Sequence, residues 1–345
     1  MKILYLLIII LMILTPVKAA GFTAPTVPEF GEKYFPQDSQ TFSEGLWHIL
    51  KEAISELNPD IMQAVYVCLG ILIVAILVAV LSGLQNGNPR TVELTGTVLI
   101  ATMLIKPSNQ LIQFAITNIT ELCEYGKLLI PVMTAALAAQ GGTTSAAALC
   151  AGSMFLINLL AQCVGKLILP VVTVYMVLCI ARNAVSEQML DGLHKFIKWL
   201  MTWGLKIILY VFTGYLSITG VVSGSVDASA MKATKLSISG MVPVVGSIMA
   251  DASEALLAGA GLMKNAAGVY GMLAIIAVWI SPFLRIAVHY LILKITAGIC
   301  SIFSEGKATK VIKDFSSVMG FLLAMTAAVC VMLMISTVCF MKGVA

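Results

Sequence analysis

IMQAVYVCLGILIVAILVAVL, residues 61–81, runs for 21 residues without a charge. A helix rises about 1.5 Å per residue, so this stretch is about as long as a bilayer's hydrocarbon core is thick. The rest of the chain is built in the same way: apolar residues make up 59% of its 345 residues and charged residues 11%. A soluble domain is nearer ~45–50% apolar and ~25% charged. One core cannot hide that excess, so lipid is the solvent. The fold class that follows is all-α, a polytopic integral membrane protein.

Upstream of this span the chain changes character. Lys2, an apolar run from Ile3 to Leu14, a break at Thr15-Pro16 and the small residues Ala19-Ala20 have the layout of a signal peptide over 1–20. Residues 21–60 hold seven acids and two lysines, whereas the membrane domain, 61–345, holds seventeen Lys and Arg against ten acids. Extracytoplasmic segments avoid Lys and Arg, so 21–60 is expected outside. Phe42, Leu46, Ile49, Leu50, Ala53, Ile54 and Leu57 recur at helical spacing and predict an amphipathic helix on the membrane or a partner, stopped by Asn58-Pro59.

Downstream, Val92 to Ile105 reads as a second span ended by Pro107, followed by an interfacial stretch over 108–124. Leu128 to Ala139 is short and ends at Gly141-Gly142, which predicts half of a broken helix with a hinge there. Ala146 to Val164, Leu167 to Ile180, Gly204 to Val222, Gly268 to Ile302 and Val318 to Phe340 complete the apolar runs. Residues 182–202 predict an amphipathic helix with Val185, Met189, Leu193, Phe196, Ile197 and Leu200 on one face and Glu187, Asp191, His194, Lys195 and Lys198 on the other. Its basic residues predict a cytoplasmic position, with Lys195 and Lys198 as candidate partner contacts; headgroup contact is the alternative. Trp199 and Trp203 mark a membrane interface. Parity of these sides gives about seven to nine membrane segments, with Pro282 as a kink or re-entrant point.

No catalytic or cofactor motif appears. The chain lacks a Gly-x-x-x-x-Gly-Lys-Ser/Thr phosphate loop, a His-Glu-x-x-His zinc motif and a Gly-x-Ser-x-Gly elbow. Its eight cysteines lie in or at the ends of apolar runs without a Cys-x-x-Cys pair, which fits small hydrophobes. The basic residues do not cluster, which excludes a nucleic-acid face. The expectation is a protein without enzymatic activity, metal or cofactor.

Polar residues in apolar surroundings remain. Asn158, Gln162 and Lys166 are spaced by four and share a helix face; they would line a wet path, or else hydrogen-bond between helices with Lys166 snorkelling. Arg285 and His289 are also four apart, and an intramembrane Arg wants a carboxylate, with Asp251 or Glu254 as candidates, or else lipid phosphate. The densest set runs from Gly240 to Gly268. Pro243 and Gly246 would permit a re-entrant bend, and Asp251, Glu254, Gly261, Lys264 and Asn265 would give a pore or gate lining. A tightly packed small-residue helix would carry the same pattern.

Met241-Val-Pro-Val-Val-Gly246, followed by Asp251-Ala252 and by Lys264-Asn265-Ala266 with Gly268, resembles the stage III sporulation protein AE family. The run Val132 to Ala138, Asn158 and the layout of signal peptide, short outer segment and spans resemble it as well. The resemblance covers about residues 60–345. It implies a multi-pass protein of the outer forespore membrane of the mother cell. It also implies a place in a secretion-like channel between mother cell and forespore that supports late forespore gene expression. The implied partners are the other stage III sporulation A-operon proteins, among them an ATPase-like subunit and ring-forming membrane proteins, and indirectly stage II sporulation protein Q. Assembly of several copies of the chain stays open. Two other readings are a secondary transporter of a small solute and a membrane scaffold anchoring the ring-forming partners. Against the transporter, no acid lies well inside a predicted span.

Overall fold

Apolar runs fuse into helices longer than the sequence suggests. The computed structural model describes residues 25–36, 41–84, 89–185, 190–212, 214–215, 245–303 and 306–342. The predicted signal peptide and the stretch 216–244, with Pro243 in it, lie outside the described residues. The elements are α1 (Glu29–Glu32), α2 (Phe42–Ser55), α3 (Asn58–Leu84), α4 (Pro89–Ala139), α5 (Thr143–Cys163), a π-helical segment (Val164–Ile168) and α6 (Leu169–Val185). Then come α7 (190–212), α8 (Val245–Phe303) and α9 (Lys307–Lys342). Among the described residues there is no strand. Among the described residues, five helical stretches are long and apolar enough to cross a membrane: Asn58–Gly83, Thr91–Ala139, Thr143–Arg182, Lys264–Phe303 and Lys307–Lys342.

Two predicted interruptions, at Pro107 and Pro282, are absent as breaks. Pro107 and Pro131 lie inside α4, so the expected span and interfacial stretch are one helix of 51 residues. Pro282 lies inside α8, which is likewise continuous rather than re-entrant. A proline removes the amide that would bond the carbonyl four residues earlier. For Pro282 that carbonyl is Val278, and α4 supplies the missing donor: Asn118 Nδ2 donates to Val278 O at 2.8 Å. Bonding from a neighbouring helix is how membrane helices tolerate proline. The π segment stands directly before Pro170, where the α pattern would need the amide that proline lacks.

The break at Gly141-Gly142 is present, as a tight turn between α4 and α5. Gly141 has φ 91°, a conformation that costs other residues strain. Its amide bonds Ala138 O at 2.9 Å and that of Gly142 bonds Leu137 O at 3.3 Å, which closes the end of α4. Asn58-Pro59 ends one helix and opens the next: Pro59 sits in the first turn of α3, where its missing amide costs nothing.

Packing follows the apolar stripes. α4, α8 and α9 form the centre, with Ala115, Ile119, Leu122, Ala274, Ile275, Val278, Val318, Leu322 and Val329 fully buried. Only 17% of the most apolar window of α3 is buried, and Leu69, Ile73, Ile76, Leu77 and Leu81 face outward while Ile71 packs into the core. An outward apolar surface of that kind belongs in lipid. The amphipathic helix α2 packs Ile49 and Ala53 onto Leu273, Ile276, Ala277 and Ile280 of α8. It therefore rests on its own bundle. Glu93 of α4 accepts from the Lys307 amide at 2.7 Å, placing a carboxylate at the N-terminus of α9, where the helix dipole favours it.

Candidate functional site

The second amphipathic segment is organised differently from its pattern. Residues 182–185 belong to α6, and α7 starts at 190. On α7 the inward residues are His194, Ile197 and Met201, whereas Leu193, Phe196 and Leu200 face outward. The expected apolar face is thus rotated away from the bundle. What turns it is a polar junction. Arg182 of α6 donates to Asp314 Oδ2 of α9 at 2.6 Å, lies 3.3 Å from Asp191 of α7, and approaches His194 Nδ1 at 3.2 Å. His194 Nε2 lies 3.6 Å from Asp314 Oδ1, and its ring stacks on Tyr175 at 4.7 Å between centroids.

The electrostatics are those of a closed junction. His194 is 4% exposed and Asp314 8%. Burial first, then the charges of Arg182 and Lys198, push the His194 imidazole down to about 4, so it is neutral at pH 7. Because the Arg182 guanidinium can only donate, neutral His194 accepts on Nδ1 and carries its proton on Nε2, directed at Asp314. One guanidinium, two carboxylates and one imidazole therefore join three helices, with Nε2 of His194 left 3.6 Å from Asp314, beyond hydrogen-bond distance.

By residue type Cys179, His194 and Asp314 resemble a metal set, with ligand atoms within 4.8 Å of one another. The neighbours argue otherwise. Metal-ligating histidines donate their second nitrogen to a carboxylate or carbonyl. Here that nitrogen faces a cation, the facing nitrogen is protonated, and Arg182 already takes one oxygen of Asp314. The donor set does not fit a divalent ion.

A second junction ties the outer segment to the bundle. Arg285 of α8 pairs with Asp60 of α3 at 3.0 Å and lies over the Phe114 ring at 4.6 Å. Asp60 is its partner, because the first turn of α3 packs beside this part of α8; the side chains of the expected Asp251 and Glu254 lie outside the described residues. His289 bonds the Arg285 carbonyl through Nδ1 at 2.9 Å. Nearby, Tyr34 donates to Glu56 at 2.7 Å and approaches Ser281 Oγ at 3.2 Å, while Lys33 pairs with Glu56. A polar cleft of about 260 Å³ lies between Tyr34, Glu56, Asp60, Ser281 and Arg285.

The remaining expected residues do not converge. Asn158, Gln162 and Lys166 are exposed and do not line the interior of this bundle. The buried face of α5 runs through Leu149, Ser153, Leu156 and Leu160, and Ser153 bonds Ser336 of α9 at 3.0 Å. Gly246, Asp251 and Glu254 belong to the first turns of α8; Gly261 packs against the Gln140 side chain, Lys264 is buried and Asn265 exposed. Lys195 and Lys198 are exposed on α7. Asp314 and Asn118, which hold buried polar contacts between helices, are positions that the sequence pattern does not single out. The signal for Asp314 is its place between Val311, Ile312, Phe315 and Val318, on the inward face of α9.

Residues 33–343 match the family described as Stage III sporulation protein AE. A relative named Stage III sporulation protein AE, from Bacillus subtilis (strain 168), is 22% identical over 307 residues, covering 88% of this chain and 76% of the relative. No solved structure matches.

Proposed function

From the premise that this chain belongs to the stage III sporulation protein AE family, and so acts in sporulation, we propose that it is a non-enzymatic membrane subunit of a secretion-like channel complex. The complex would link mother cell and forespore, with this chain in the outer forespore membrane, and would support late forespore gene expression. Its partners would be the other stage III sporulation A-operon proteins, including the ATPase-like subunit and the ring-forming membrane proteins, and indirectly stage II sporulation protein Q. The observation that carries this reading is the match over residues 33–343 together with the helical bundle it covers. The paired state of the buried charges supports the absence of catalysis: Arg182, Asp314, Arg285 and Asp60 are each held by a counter-charge, which leaves none of them poised as base or nucleophile.

In a strain lacking this chain, a late forespore reporter should stay silent after engulfment and recover on complementation, and the tagged chain should bring down the ring-forming proteins. A reporter of normal strength in the deletion strain would overturn the proposal, and solute flux through the purified chain alone would replace it with a transporter.

A further inference from the structure

The geometry points to a binding site for an anionic phospholipid in the groove between α7 and α9, its phosphate held by Lys198 and Lys206 and one acyl chain lying along α9. The groove encloses about 530 Å³, within the ~300–1,000 Å³ of small-molecule sites. Its polarity is graded. Lys198 and Ser317 stand at one end, Lys206 is anchored about 12 Å further along α7, and Leu209, Ala328 and Val331 stand at the other end. From Ser317 to Val331 the helix advances about 21 Å at 1.5 Å per residue, long enough for a headgroup and much of a chain crossing half of a ~30 Å core.

Charge identifies the occupant. No residue lining the groove is acidic, and neither Lys198 nor Lys206 forms an ion pair among the described residues. Among the described residues, Asp191 on α7 and Asp314 on α9 are already engaged by Arg182. The ammonium of Lys206 lies over the Trp203 ring, at 5.9 Å, and so leans back along α7 towards Lys198. Two unmatched cations above an apolar channel suit one phosphate carrying a hydrocarbon tail. Basic pockets between membrane helices bind anionic headgroups on this physical basis.

The surroundings place lipid at the groove. The outward face of α7 exposes Phe196, Trp199, Leu200 and Trp203. Tryptophans concentrate where headgroups meet acyl chains. Small residues on the α9 side keep the channel open, Ala328 among them.

The test uses the full chain purified in detergent, with dioleoyl phosphatidylglycerol and dioleoyl phosphatidylcholine as probes and native mass spectrometry to count retained lipid. The wild type should retain one phosphatidylglycerol in preference to phosphatidylcholine. Lys198→Gln with Lys206→Gln should weaken phosphatidylglycerol retention about thirtyfold, at the strength usual for two basic residues near a headgroup. Ala328→Leu, which fills the channel and leaves both charges in place, should abolish retention with an unchanged thermal transition. Equal retention of the two lipids, or phosphatidylglycerol retention that neither variant lowers, would overturn the proposal. So would a disulfide from Ala328→Cys to a cysteine placed in 216–244 with no lipid retained, because the groove would then hold a segment of the chain itself.

Discussion

Arg182 and Arg285 sit in one bundle and are held in different ways. The Arg182 side chain is 17% exposed and faces the buried Asp314, with Asp191 and His194 completing a junction of three helices. Arg285 is 38% exposed, faces the single carboxylate of Asp60, and shares its charge with the Phe114 ring. The first residue cannot lose a partner without leaving a charge in a dry site. The second can turn towards water, phosphate or the ring. Both are Arg–Asp pairs that bridge helices; the consequence of breaking each depends on what else can solvate the orphan.

The largest effect should follow from Asp314→Ala, which leaves Arg182 only the exposed carboxylate of Asp191. Breaking a buried pair by removing one partner costs about 3–5 kcal/mol. Unfolding of the purified protein in detergent should show it, and Arg182→Met on top of Asp314→Ala should restore part of the loss. A cost no larger than that of Asp60→Ala would erase the contrast between the two junctions.

Acid should sharpen the contrast next. The folded His194 titrates at about 4, below the ordinary imidazole value of ~6.5, so between those values the unfolded chain binds the extra proton. Stability at this junction is therefore complete above about pH 6.5 and falls as pH is lowered towards 4. The charges around the ring are Arg182 on α6, Asp191, Lys195 and Lys198 on α7, and Asp314 on α9. Thermal transitions recorded from about pH 7.5 to about 4.5 should fall for the wild type and stay flat for His194→Gln. Equal slopes for the two proteins would place the acid sensitivity elsewhere.

Asn118→Leu should come third. It leaves the Val278 carbonyl without its donor beside Pro282, and a buried unsatisfied group costs about 1–3 kcal/mol. Pro282→Ala in the same chain returns an amide to α8 and should recover most of the loss; no recovery would mean that Asn118 acts through packing alone. The smallest effect is expected at the exposed Lys33–Glu56 pair, where Lys33→Ala should cost under about 1 kcal/mol.

Much of the fold is legible in the sequence. The charge-free 61–81 run, the turn at Gly141-Gly142 and the helix boundary at Asn58-Pro59 each rest on a local rule, and each is found where that rule places it. Three readings go astray for one reason. Pro107 and Pro282 read as interruptions, because a sequence shows the lost amide and not the Asn118 side chain that compensates for one of them. The 182–202 segment reads as amphipathic, with His194 on its polar face and Leu193, Phe196 and Leu200 on its apolar one. With lipid outside, Leu193, Phe196 and Leu200 can face the solvent while His194 turns to a charge pair. For Arg285 the sequence offers Asp251 and Glu254, acids near it in the chain, whereas Asp60 lies 225 residues away in sequence and 3.0 Å away in space.

The sequence by itself determined the solvent, the helical class and the family, since hydropathy, periodicity and motif are properties of contiguous residues. The tertiary structure alone decided which charges neutralise one another. Arg182 and Asp314 stand 132 residues apart, and nothing local to either names the other as its partner. In a low-dielectric interior an ion is tolerated only where a counter-ion arrives within bonding distance, and that distance exists only once α6, α7 and α9 have packed together.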